Sequence, residues 1–176
     1  MKSAVLLGSL FVLSELVLAC AGPGHASPAP PMGKGTPTQN LTNAYLAVQT
    51  RLGLDDFGGA RAACGSVRSA AQAAELALEP ELRKRIDTAA SAGAAASDIV
   101  GLRAAFAPLS EALLAWFKTQ TNPLSETIAV VHCPMALEGK GARWLQRGTQ
   151  LKNPYFGAQM LACGSIVASL EPAQKL

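Results

Sequence analysis

Across residues 40–118 the apolar positions recur three and four apart, the period at which one face of an α-helix comes round. Leu41, Tyr45, Val48 and Leu52 form a first stripe that Gly53 closes. A second runs through Phe57, Ala60, Cys64, Val67, Ala71, Ala74 and Leu78, and Asp55 at its opening is expected to cap the free N–H groups. Pro80 suits the first turn of a third helix, with Leu82, Ile86, Ala89 and Ala90 inward and Arg83, Lys84 and Arg85 in solvent. A fourth helix, from about Ser97, carries Ile99, Leu102, Phe106, Leu109, Leu113 and Trp116, and Pro108 is expected to kink it. Between the last two, "TAASAGAAAS" reads either as a close helix contact or as a loose connection. Each stripe needs a surface to cover it, so the pattern predicts a mainly α fold, an antiparallel four-helix bundle.

Beyond Lys118 the period changes. Thr127, Ile128, Val130 and Val131 are β-branched and predict a strand that delivers His132, Cys133 and Met135 at its end, where Pro134 blocks further pairing. "EGKG" reads as a turn, "ARWLQ" as a returning strand and "NPYFG" as a second turn. Residues 158–162 are expected to form a helical turn with Met160 and Cys163 on one side, and "SIVASL" a last strand beside the first. The result is a small C-terminal β element in which Cys133 and Met135 face Met160 and Cys163.

The N-terminus sets the compartment. Lys2 precedes the apolar run "AVLLGSLFVLS", and after Glu15 the stretch "LVLAC" fits a lipobox, so residues 1–20 read as a lipoprotein signal peptide with Cys20 lipidated. Ordinary cleavage after Ala21 is the alternative. With Ala21 rather than Asp after the cysteine, the expected address is the outer membrane, facing the periplasm. Residues 21–39, rich in Pro and Gly, read as a flexible tether in which His25 and Met32 are solvated linker residues. Residues 40–176 then form a single domain.

Net charge is only +3, the basic residues are scattered and aromatics make up 5 %, which excludes nucleic acid as a partner class. Catalysis is poorly served. There are two histidines, one of them in the tether; neighbours on a strand point to opposite faces, so His132 would not reach the Cys133 thiol. No CxxCH haem motif and no Glu-x-x-His di-iron pattern occurs. The chain reads as a non-enzyme.

What remains is soft-donor chemistry. Two thiols and two thioethers, from Cys133, Cys163, Met135 and Met160, suit Cu(I) or Ag(I), with His132 as a fifth candidate donor. Zinc is the weaker fit, because a fourth firm ligand is missing beside Cys133, Cys163 and His132. An exported Cys133 and Cys163, 30 residues apart, also suit a structural or redox-active disulfide, worth roughly 3–4 kcal/mol on the chain-entropy model. Spacing does not choose between metal and disulfide, and the two states can alternate. Cys64, on a helical stripe, reads as a small buried hydrophobe. Trp144, Tyr155 and Phe156 read as packing over the sulfur cluster, or else as docking anchors.

Four stretches, "AFAPLSEALLAWFK", "VVHCPMA", "GKGARWL" and "NPYFGAQMLACG", together resemble an uncharacterised bacterial domain of unknown function. It is found as a C-terminal extension of CusB/HlyD-type heavy-metal efflux adaptor proteins and as free-standing exported proteins. The resemblance covers about residues 41–167, and its HCPM and MxxCG elements fall on His132, Cys133, Pro134 and Met135 and on Met160, Cys163 and Gly164. It implies copper or silver handling outside the cytoplasm, with an efflux adaptor or a copper-resistance protein as partner, and no enzymatic role. The adaptor body has no counterpart here, so the chain is not expected to bridge a pump and a channel itself, and Cys64 matches no element of that domain.

Overall fold

The computed structural model describes residues 35–176; Cys20, His25 and Met32 lie outside them. Helix α1 spans Pro37–Gly53, beginning three residues before the expected domain start at Asn40. The reason is a reciprocal capping box: the Gln39 N–H donates to Thr36 Oγ1 (3.3 Å) and the Thr36 N–H to Gln39 Oε1 (2.8 Å), with Pro37 in the first turn. Helix α2 spans Phe57–Ala73, α3 Pro80–Ala95 and α4 Ile99–Phe117. Asp56, not Asp55, caps α2, its Oδ1 accepting the Gly59 N–H at 2.8 Å. The expected stripes face the interior, with Phe57, Leu82 and Ile99 only partly buried, but that of α2 outlasts its helix: Ala74 and Leu78 are interior, while a 3₁₀ turn at Glu75–Ala77 separates them. Helix α4 runs unbroken through Pro108, which sits on its exposed side.

Packing follows chain order, α1 on α2, α2 on α3 and α3 on α4. The small-residue stretch is a close contact. It continues α3, and a Cβ on Gly93 would fall 2.7 Å from the Cys64 sulfur on α2. Cys64 is 2 % exposed, and burial pushes its thiol up to about 12, so it is an uncharged core residue as expected.

The C-terminal element is a three-stranded antiparallel sheet of β1 (Ile128–Cys133), β2 (Ala142–Arg147) and β3 (Ser165–Leu170), in the order β2-β1-β3. Val131 pairs with Trp144 on one side and Ile166 on the other; Val130 pairs with Ala168, so a bulge leaves Val167 over. Residues 136–140 make a tight turn in which Leu137, Glu138 and Gly139 are all left-handed. β2 docks the sheet on α1 and α4. Tyr45 stacks on Phe106 with ring centroids 5.4 Å apart, while its hydroxyl pairs with Ser110 Oγ at 2.8 Å and accepts the Leu145 N–H at 3.1 Å. Burial holds the Tyr45 phenol well above its usual pKa. At the rim, Arg143 grips Glu111 and Arg147 grips Glu126.

Candidate functional site

Cys133 closes β1, the central strand, and is fully buried; Cys163 lies two residues before β3 and is partly exposed. Their sulfurs are 2.8 Å apart, closer than an ordinary sulfur–sulfur contact. Gly164 makes the approach possible. Its φ is +133°, and a Cβ there would fall 3.1 Å from the His132 carbonyl oxygen and from Trp144 Cη2, and 3.2 Å from Val131 Cγ1. A side chain would therefore push the strand, and Cys163 with it, away from β1. The Cys163 thiol is held above its ordinary pKa chiefly by its hydrogen bond to Cys133, and further by desolvation and by charge on the second sulfur.

The other candidates stand less close. Met135 is 55 % exposed in the turn after Pro134. Met160 is half-buried, and the helical turn expected over 158–162 does not form: a 3₁₀ turn covers only Gly157–Gln159, and Met160 leaves it at φ −147°. Met160 and Cys163 meet instead in a tight turn closed by the Cys163 N–H donating to the Met160 carbonyl at 3.0 Å. His132 pairs with Arg143 and Ser165, so strand alternation turns it to the face opposite Cys133. There its Nε2 is 3.0 Å from where a Cβ on Gly141 would be. The fold thus joins the two thiols, sets the two methionines in the turns beside them, and turns the imidazole away.

The turn carrying Cys163 is braced by residues that the sequence reading did not place there. Asn153 is fully buried; its Nδ2 donates to the Cys163 carbonyl at 2.8 Å, and its Oδ1 accepts the Tyr155 N–H at 2.8 Å, an Asx turn that fixes "NPYFG". Asp55, freed from capping, adopts φ +57° and accepts the Ala158 N–H at 2.9 Å and an Arg103 N–H at 2.5 Å. Arg103 also donates to the Pro154 carbonyl at 2.9 Å. These bonds, the Ala158 N–H foremost and then Arg103, hold the Asp55 carboxyl below its usual pKa. The available signal was the doubled Asp in "LDDFGG": one helix start uses one cap, which leaves a carboxylate over.

The aromatics pack inward. Trp144 is fully buried and Tyr155 is 7 % exposed, and with Phe106 and Tyr45 they form a run of contacts with centroids 5.4 to 5.9 Å apart from the sheet into the helices. They are core; Phe156 is partly open, on a groove of about 490 Å³ beside α4 that Tyr155, Arg103, Leu137 and Lys140 also line. Neither cysteine lines that groove. No family model, curated protein or solved structure matches the chain.

Proposed function

We propose that this protein binds a soft monovalent ion, Cu(I) or Ag(I), outside the cytoplasm, as an accessory to metal efflux or resistance. The observation that carries the reading is the convergence of Cys133 and Cys163, 30 residues apart in the chain, to a sulfur separation of 2.8 Å, with Met160 in the same turn as Cys163. Thiolates and thioethers together favour a low-coordinate soft ion. Among the described residues no three His, Cys, Asp or Glu side chains are grouped to hold a metal, so a bound ion would depend on the two thiols and methionine sulfur, donors that suit a soft ion better than zinc. Helices α1–α4, read as an antiparallel four-helix bundle, are the scaffold and carry no catalytic role. Lipidation at Cys20 and the tether would hold the domain at the periplasmic face of the outer membrane, within reach of an efflux adaptor or a copper-resistance protein.

With metal–sulfur bonds of about 2.3 Å, two thiolates on one ion stand ~3.7–4.6 Å apart, so loading must part these sulfurs by ~1–2 Å. Cys133 is held in the central strand, so the added separation would have to come from the turn carrying Cys163, against the Asn153 bond to the Cys163 carbonyl. The test is titration of reduced protein against a competing Cu(I) chelator. About one Cu(I) should bind; Cys133→Ser or Cys163→Ser should abolish tight binding, Met135→Leu or Met160→Leu should weaken it, and His132→Ala should do least. An affinity no better than that of the double cysteine variant sinks the proposal.

The short sulfur separation also favours a second reading, a lipid-anchored interaction domain stapled by a Cys133–Cys163 disulfide. In that case the methionine variants are silent toward metal, and protein taken from its own compartment shows one free thiol in the folded domain, Cys64, when counted by mass spectrometry.

A further inference from the structure

The two thiols are not equivalent. Cys133 is fully buried at the end of the central strand, whereas Cys163 is partly exposed in the turn ahead of an edge strand. A reagent arriving from solvent meets the Cys163 sulfur first and finds the Cys133 sulfur 2.8 Å behind it. The approach is uncharged: residues 160–170 contain no charged side chain, and Leu161, Ile166 and Val167 are 37 %, 37 % and 54 % exposed, interspersed with the exposed Ser165 and Ser169.

We infer that the pair is a thiol–disulfide exchange site worked in a fixed order, with Cys163 attacking an uncharged or apolar-flanked disulfide and Cys133 resolving the adduct. Cys163 releases its proton to solvent and, as the thiolate, attacks one sulfur of the incoming disulfide; that S–S bond breaks, and one partner sulfur leaves as a thiolate, the released proton being taken up again by the second partner thiolate when it is expelled. Cys133, its proton passing to the departed thiolate, then attacks the Cys163 sulfur, forms the Cys133–Cys163 bond and expels the second partner thiolate. Two protein thiols are oxidised and one disulfide is reduced to two thiols. Proximity makes the second step fast, since the resolving sulfur is already in contact with the one it attacks. The inference goes beyond metal binding and holds with or without it.

The probe is hydroxyethyl disulfide, an uncharged disulfide, added to reduced protein with a chelator present, followed by acid quenching and peptide mass spectrometry. Cys133→Ser should accumulate the mixed disulfide at Cys163, while Cys163→Ser should react at the fully buried Cys133 at least about tenfold more slowly, because solvent reagents do not reach it. Wild type should pass to the intramolecular disulfide without holding the adduct. Because a serine variant can fold poorly, wild type is also labelled with sub-stoichiometric iodoacetamide, which should mark Cys163 ahead of Cys133 and Cys64. Equal labelling of Cys133 and Cys163, or a wild-type adduct that persists, overturns the assignment. Cu(I) affinity is measured apart from this, so failure of the metal reading leaves the result untouched.

Discussion

Replacing Gly164 by alanine tests how the sulfurs are brought together. The added Cβ must accept φ +133°, a conformation L residues rarely adopt, at a cost of about 1–3 kcal/mol. It also meets the His132 carbonyl and Trp144 at 3.1 Å and Val131 at 3.2 Å. Trp144 and Val131 are fully buried, so neither yields freely, and overpacking of this kind adds about 1–3 kcal/mol. Gly148→Ala is the control: φ is +63° and nothing lies within 4 Å of the new Cβ, which leaves only the backbone cost of about 1–2 kcal/mol. Urea unfolding under reducing conditions should therefore place Gly164→Ala about 2–3 kcal/mol below Gly148→Ala, with unchanged m-values. Because the strain falls on the residue after Cys163, the same variant should close its disulfide more slowly, whereas Gly148→Ala should match wild type. If the two variants unfold at the same urea concentration and oxidise at the same rate, the close approach at Gly164 does not set the sulfur gap.

Asp55→Asn should flatten the acid limb of the stability curve. Its folded pKa lies below the ordinary value of 3.8, so the carboxylate stabilises the fold above that value and the contribution is lost as pH falls through the lowered one; acid titration of both proteins by circular dichroism checks this. Cys64→Ala should cost about 1 kcal/mol and leave metal stoichiometry unchanged, and native Cys64 should resist alkylation at neutral pH, with loss of metal refuting its purely packing role. Tyr45→Phe strands the buried Leu145 N–H and should cost about 1–3 kcal/mol, with faster amide exchange at Leu145 as its signature. Cys20→Ala should move the protein from the membrane fraction to the soluble one; wild-type protein that is already soluble and begins at Gly22 would falsify the lipobox reading.

Sequence by itself determined the elements and their inward faces. The i, i+3, i+4 stripes through Leu41, Ile86 and Leu102 are interior, and the β-branched run ending at Cys133 is a strand, because burial periodicity and local backbone preference act over a few residues and need no knowledge of the partner surface. Strand alternation likewise sufficed to turn His132 away from Cys133. Other features belonged to the tertiary structure. Either Asp55 or Asp56 could have capped α2, and what decided was that Asp55 reaches Ala158 and Arg103, partners about a hundred and about fifty residues away. The turn expected over 158–162 has helical spacing, but the buried Asn153 takes the Leu161 carbonyl with its backbone N–H and the Cys163 carbonyl with its side chain, and local propensity gives way to satisfied buried hydrogen bonds. The meeting of Cys133 and Cys163 needed both: the motifs named the sulfurs, but their distance depends on the antiparallel pairing of β1 with β3 and on Gly164 passing against Trp144. Pairing register is a long-range packing outcome, fixed by which face the helices and the 148–164 segment cover, and no window along the chain contains it.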